Sequence, residues 1–395
     1  MISLKIGIYG GTFDPPHMGH VAAAKEASEV LSLDKLFVIP AAMPPHKALP
    51  KDVPSAAERL EMTGRAMSGL QKVCVSDIEI LRGGKSYTVD TLTSLREQYP
   101  HDMLFLLMGT DMLLSFESWR KFEDILKMCS LAVFTRRNGE EEAVKRAAEK
   151  LREKYGASVV YVPHDAFEAS SSNVRRLLSM RRGRDYIPES VYEYVIQNHI
   201  YGARADFNWL RNKAYSMLKP SRIPHVAGCE QEAVRLAKRW GADVENAREA
   251  AILHDITKKG PLSEQLLLCD KYGIMTDSNE RKDPKLLHAK TAAAIAEQDL
   301  GSCPAVVNAI LWHTTGREDM TLLEKVIYIA DYIEPTRNFE GLNGLRTLSY
   351  EDLDKALLSG LEMSLKDMQE RGIEPHYRTK AAADWIRDRI KDRDI

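Results

Sequence analysis

Gly10-Gly11-Thr12-Phe13-Asp14-Pro15-Pro16-His17-Met18-Gly19-His20 decides the reading of the first half of this chain. It follows the apolar run Leu4-Lys5-Ile6-Gly7-Ile8-Tyr9 and precedes an Ala-rich helical run. A buried strand that passes through a glycine turn into a helix start brings backbone N–H groups close to an anion. His17 and His20 at that start can donate hydrogen bonds to phosphoryl oxygens as charge builds there. The stretch therefore predicts a phosphate site lined by Gly10, Gly11, Thr12, Phe13, His17 and His20.

Outward from this turn, apolar runs alternate with helical patterns. Leu4–Tyr9, Lys35–Ile39, Val73–Ile80, Met103–Met108, Ser130–Phe134 and Ser158–Val162 read as buried strands. Val21–Leu31, Ala56–Met67, Val89–Gln98 and Glu140–Lys154 read as helices between them. That order predicts an α/β domain with a parallel sheet covered on both faces. The phosphate turn would then lie at the carboxyl end of the sheet, where open sheets bind ligands. Beyond Gly202 strand-like runs all but vanish. Phe207–Met217, His225–Trp240, Val244–His254, Lys285–Glu297, Ala305–His313, Leu322–Ile333, Tyr350–Arg371 and Lys380–Lys391 read as helices. The expectation is an α/β domain over residues 1–202 and an all-α domain over residues 206–395, joined by a short charged segment.

A length of 395 residues favours two or three domains, and 44% hydrophobic against 28% charged residues suits globular folding. A formal net charge of -2 gives no support to a general nucleic-acid surface. The cysteines, Cys74, Cys129, Cys229, Cys269 and Cys303, are odd in number and lack CxxC spacing. A disulfide framework is thus not expected, and a reducing cytoplasm fits. The start of the chain has no signal-peptide pattern, and the apolar run near Met103–Met108 is too short to span a bilayer.

A second phosphate cluster is expected at Ser170-Ser171-Ser172-Asn173-Val174-Arg175. Serines at a helix start offer hydroxyls and free N–H groups, and Arg175 adds a permanent charge. Lys47 in Pro44-Pro45-His46-Lys47 is a third basic candidate. Singly, a serine cluster is usually an N-cap and a lysine usually a solvated one. Together on one α/β pattern they point to a polyphosphate.

HxGH is the signature of nucleotidyltransferases, and this half resembles the nicotinate-mononucleotide adenylyltransferases more closely. The match runs through Pro44–Lys47, Ser86-Tyr87-Thr88-Val89-Asp90-Thr91-Leu92, Met108-Gly109-Thr110-Asp111, Ser118-Trp119-Arg120 and Tyr186-Ile187-Pro188…Tyr201. Ala169 stands where the family's serine motif usually has Ile. Pantetheine-phosphate and cytidylyl enzymes share HxGH but not the SYTVDTL and SW segments. The resemblance implies a Rossmann-like fold and transfer of AMP from ATP, with Mg²⁺, to nicotinate mononucleotide, giving deamido-NAD and pyrophosphate. It implies that Gly109 and Asp111 lie near the adenosine ribose, and that Trp119 stacks on the pyridine ring. Tyr87, Thr88 and Lys47 would meet the mononucleotide. An aromatic face over a flat heterocycle is physically sensible.

The second half carries His225, His254-Asp255, His288, His313 and Asp331, each in or beside a helical run. One helix histidine is ordinarily a core or surface residue. The ordered series offers mixed N/O ligands suited to Fe, Mn, Zn or Co. It is the pattern of HD-domain metal phosphohydrolases. Arg222-Ile223-Pro224-His225, His254-Asp255-Ile256-Thr257-Lys258, Leu287-His288, Trp312-His313-Thr314 and Ala330–Gly341 resemble the HD-domain symmetrical diadenosine tetraphosphate hydrolases. The resemblance implies that His225, His254, Asp255 and Asp331 hold Fe²⁺ or another divalent transition metal. Lys258, His288, His313, Thr314 and Arg337 would contact phosphates or complete a second metal site, phosphate contact being favoured. Water would then split diadenosine tetraphosphate into two ADP.

The expected whole is a cytoplasmic bifunctional enzyme acting on ATP, nicotinate mononucleotide and diadenosine tetraphosphate. No nucleic-acid or membrane partner is expected, and a homodimer is allowed but not required. Adenylyl transfer to ATP itself yields diadenosine tetraphosphate, so the second half could clear a side product. Two alternatives stay open for that half: hydrolysis of another nucleotide, or nucleotide sensing that regulates the first half.

Overall fold

The computed structural model describes residues 3–44, 53–135, 141–164, 170–277 and 280–394. They form two compact units, Met1–Arg204 and Ala205–Ile395. The first unit holds six strands: β1 Lys5–Gly11, β2 Lys35–Pro40, β3 Val73–Val75, β4 Met103–Met108, β5 Ser130–Thr135 and β6 Val159–Pro163. All neighbouring pairs are parallel, in the order β3-β2-β1-β4-β5-β6. This is the doubly wound order, whose direction reverses between β1 and β4.

Burial on both faces explains why these strands read as continuous apolar runs. Along β4, Leu104, Leu106 and Met108 join one core with Leu92, Leu95 and Phe116. The alternate residues Phe105 and Leu107 join the other with Ala23, Ala24 and Ala27 of helix Met18–Val30.

The third predicted strand is corrected. Val73–Ile80 splits into the short β3 and a helix, Ile78–Arg82. Ser76 and Asp77 interrupt the apolar alternation, and Ser76 Oγ accepts the Ile78 N–H at 3.4 Å. Such residues bond nearby backbone in preference to a ladder.

The second unit is helical throughout its described residues. The predicted helix Tyr350–Arg371 is also corrected. It is two helices, Leu342–Glu351 and Leu353–Glu370, broken where Asp352 caps the second by accepting the Lys355 N–H. Helix Leu262–Tyr272 was not anticipated. No helix among the described residues is long and apolar enough to cross a membrane. All five cysteines are free thiols.

Candidate functional site

In the first unit, the turn after β1, the loop after β2 and the end of β4 enclose a cavity of about 200 Å³ at the switch point. Gly10, Gly11 and Thr12 form one wall, and Tyr87, Thr88 and Trp119 form another. Tyr87 precedes helix Thr88–Gln98 and caps it with no side-chain bond, and both Tyr87 and Thr88 line the cavity. Arg120 lies 4.4 Å over the Tyr87 ring, and the Trp119 ring packs on Phe116. Two carboxyl-bearing or cationic side chains, Glu79 and Arg120, complete the chemistry of the lining.

His17 caps helix Met18–Val30 and is followed one turn later by His20, their rings 3.8 Å apart. The His17 backbone N–H donates to His20 Nδ1 at 3.0 Å. That bond leaves the His20 ring proton on Nε2, where it can serve a ligand. Phe13 is buried, its ring packed edge-on against Tyr9 and His20. Its ring therefore steadies His20 from within the core. The serine cluster docks on the same turn: Ser171 Oγ donates to the Pro15 carbonyl, and Arg175 donates to the Asp14 carbonyl and carboxylate. Ser170 is an N-cap of helix Ser171–Ser179, and Ser172 Oγ accepts from Arg175.

Burial lowers His17 to about 4 and His20 to about 3, His20 also being pushed down by His17. Both are therefore neutral at pH 7 and each donates as a neutral imidazole. Histidine-selective NMR labelling should show both rings flat from pH 8 to about 5. These folded-state values lie below the unfolded value of 6.5. The unfolded chain thus binds more protons, and this contribution to stability is full above about pH 6.5 and is lost as pH falls through 4 toward 3. A midpoint near 6.5 for either ring would contradict the buried pair.

In the second unit, helix ends bring the ligand-type residues to one point. His225 lies in the first turn of helix Ile223–Trp240, where Pro224 is harmless because its missing N–H has no partner there. His254 and His313 close helices Val244–Leu253 and Pro304–Trp312. His288 sits in helix Pro284–Gln298 and Asp331 in helix Leu322–Ile333. His254 Nδ1 bonds the Ala251 carbonyl at 2.8 Å, and His313 Nδ1 bonds that of Ile310 at 2.7 Å. Both carbonyls lie in the last turn of a helix, and that of Ile310 also accepts the His313 backbone N–H at 3.4 Å. Each bond places the Nδ1 proton and turns Nε2 inward as a lone pair.

The inward nitrogens crowd together. His225 Nε2 lies 3.4 Å from His254 Nε2 and 3.0 Å from Asp331 Oδ1, and His288 Nε2 lies 3.1 Å from His313 Nε2. Buried Asp255 stands between the pairs. Its Oδ2 lies 3.4 Å from His254 Nε2, and its Oδ1 lies 3.2 Å from His288 Nε2. The sets His225–His254–Asp331 and His254–Asp255–His313 each have the spacing to hold a metal ion. Converging lone pairs and carboxylates in a buried site fit a divalent cation of the transition series. Burial alone would raise Asp255. The ring protons of the facing imidazoles, His254 first, outweigh it and hold the carboxyl well below its usual range; a bound cation would take the place of those protons. Arg222 and Lys258 pair with Asp255, and Arg337 pairs with Asp331 at 2.8 Å. A cleft of about 740 Å³ runs from Lys258, His313, Thr314, Asp331 and Arg337 past Tyr332 and Phe339.

The Cytidylyltransferase-like family profile matches residues 8–177, and the HD domain profile matches residues 222–336. A probable nicotinate-nucleotide adenylyltransferase of Pseudomonas paraeruginosa is 35% identical over 211 residues, spanning 98% of that protein and 50% of this chain. That of Exiguobacterium sibiricum is 37% identical over 199 residues, 99% of its length and 50% of this chain. Through its first half, the chain belongs to the nicotinate-nucleotide adenylyltransferase family. A crystal structure from Clostridium acetobutylicum, titled a predicted HD superfamily hydrolase involved in NAD metabolism, is 36% identical with a TM-score of 0.46. It covers 47% of this chain and all of its own.

The family half brings most of its predicted residues together. Gly109 caps helix Thr110–Leu114, with Asp111 exposed in its first turn. Lys47 lies outside the described residues. In the HD half, His288 is buried beside Asp255, whereas His313, Lys258, Thr314 and Arg337 reach the cleft. Asp14 and Tyr201, quoted above with no role assigned, form a network with Arg175: Tyr201 donates to Asp14 Oδ1 at 2.7 Å, and Arg175 donates to Asp14 Oδ2. Arg59 was overlooked; it is buried and ties the Thr12 carbonyl to that of Ala42. Only the charge of Asp14 inside the glycine turn could have signalled this network.

Proposed function

We propose that the chain joins two enzymes, an adenylyltransferase and a metal phosphohydrolase. In the first, a phosphate oxygen of nicotinate mononucleotide attacks the α-phosphorus of ATP in line, the Pα–O–Pβ bond breaks, and pyrophosphate leaves with Mg²⁺. No covalent intermediate is needed, so alignment and charge stabilisation supply the rate. The observation that carries this reading is one cavity lined by both the glycine turn and the Trp119–Tyr87–Thr88 wall. The pyridine ring stacks on Trp119, its carboxylate meets the helix start at Thr88, and the triphosphate meets His17, His20, Ser171 and Arg175. Gly109 and Asp111 take the adenosine side.

In the second, His225, His254, Asp255 and Asp331 hold Fe²⁺ or a similar ion. A bound ion of this kind polarises a phosphoryl oxygen and supplies hydroxide near neutral pH. Lys258, Arg337 and Thr314 at the cleft floor neutralise a polyphosphate. Tyr332 and Phe339, packed edge to face at 5.5 Å, give a purine an aromatic wall. A phosphate chain at the metal end and an aromatic wall beyond it suit diadenosine tetraphosphate. Anaerobic protein with Fe²⁺ or Mn²⁺ should convert this substrate to ADP alone, read by chromatography. AMP plus ATP would move the scissile bond. Intact substrate under every metal would overturn the assignment in favour of another nucleotide or of sensing.

A further inference from the structure

His225 differs from His254 and His313 in one respect. His254 and His313 end their helices and find carbonyls in the turn behind them. His225 begins its helix, where the unpaired backbone groups are N–H donors and none can accept its ring proton. The acceptor is Glu334, three residues beyond Asp331, whose Oε1 lies 3.0 Å from His225 Nδ1.

Glu334 is fully buried. Thr336 Oγ1 donates to its Oε1 at 2.6 Å, and the Thr336 N–H donates to its Oε2 at 2.7 Å. The Arg346 guanidinium holds the backbone carbonyls of Ile333 and Glu334. The carboxylate is thus fixed in place, and its other side meets Gly228, one turn along the helix from His225. A Cβ on residue 228 would stand 2.6 Å from Glu334 Oε2 and 3.1 Å from Pro335 Cδ. Neither neighbour can yield easily: Pro335 is a rigid ring, and the carboxylate moves only by leaving His225.

We propose that Glu334 is a positioning residue for the metal centre, and that Gly228 exists in this helix to seat it. The carboxylate fixes the His225 tautomer, aims Nε2 at Asp331 and makes that nitrogen a stronger ligand. This rests on the reading of His225 as a metal ligand. Neither residue lines the cleft; Arg337, which does, lies 3.7 Å from Glu334 Oε1, whereas the hydrogen bond to a ligand-type side chain is the one to His225.

The test measures Mn²⁺ affinity of the full chain by equilibrium dialysis with electron paramagnetic resonance. Glu334→Gln keeps the volume and Gly228→Ala adds one methyl group. Each should weaken Mn²⁺ binding about 10- to 100-fold, with the unfolding midpoint of Glu334→Gln close to that of the unaltered chain. Because both act through one contact, the double variant should bind no more weakly than the worse single variant. Wild-type affinity in Glu334→Gln, or additive losses in the double, would overturn the proposal. His225→Ala separates the two readings: if it too keeps wild-type affinity, the ligand assignment itself has failed.

Discussion

If the second half is the phosphohydrolase proposed above, replacing Asp255 by Asn should lower its turnover by about 10³-fold or more, the scale of removing one member of a catalytic unit. The carboxylate is the hub of the centre. Its two oxygens face different histidine pairs, and it carries the charge that Arg222 and Lys258 neutralise. Asn keeps the shape but offers one acceptor and one amide, so a donor would point at a nitrogen that must itself give a lone pair. Metal content should fall with turnover, while adenylyl transfer by the same chain continues at its normal rate. That continuing reaction adds a second readout. If the hydrolase clears tetraphosphate formed when ATP accepts an adenylyl group, the variant should accumulate it with ATP in excess. Full hydrolysis by Asp255→Asn would refute the proposed centre, and absence of accumulation would refute the clearing role alone.

The sequence disclosed the fold where one physical signal dominated. Buried parallel strands such as Leu104–Met108 must be apolar on both faces, so their runs stand out. The signal failed at Val73–Ile80 because a short edge strand and a following helix each alternate apolar and polar residues, with only Ser76-Asp77 to part them. It failed again at Asp352, where a single cap divides a helical pattern. The ligand-type histidines were legible by their order along the chain. Their supports were not: the carbonyls of Ala251 and Ile310 have no side-chain signature, and Glu334 reads as one acid among many. Asp14 and Tyr201 lie far apart in the chain, and only the folded sheet end joins them behind Arg175.

His20→Ala should slow adenylyl transfer about 100- to 1000-fold, the usual loss when one donor to a developing charge is removed. The loss should fall mainly on kcat, because charge on the bridging and leaving oxygens grows in the transition state and is smaller in bound ATP. The geometry leaves His20 one hydrogen bond to give. Its Nδ1 is already committed to the His17 N–H, its ring rests on Phe13, and burial keeps it neutral, so a single N–H at Nε2 is what it contributes. His20→Asn can keep an acceptor for the His17 N–H and should fold normally, yet it lacks the reach of Nε2. If Asn restores most of the rate, the histidine served the helix cap and the phosphate role is wrong. If both variants are equally slow while tetraphosphate hydrolysis in the same chain is unchanged, the donor at Nε2 carries the effect.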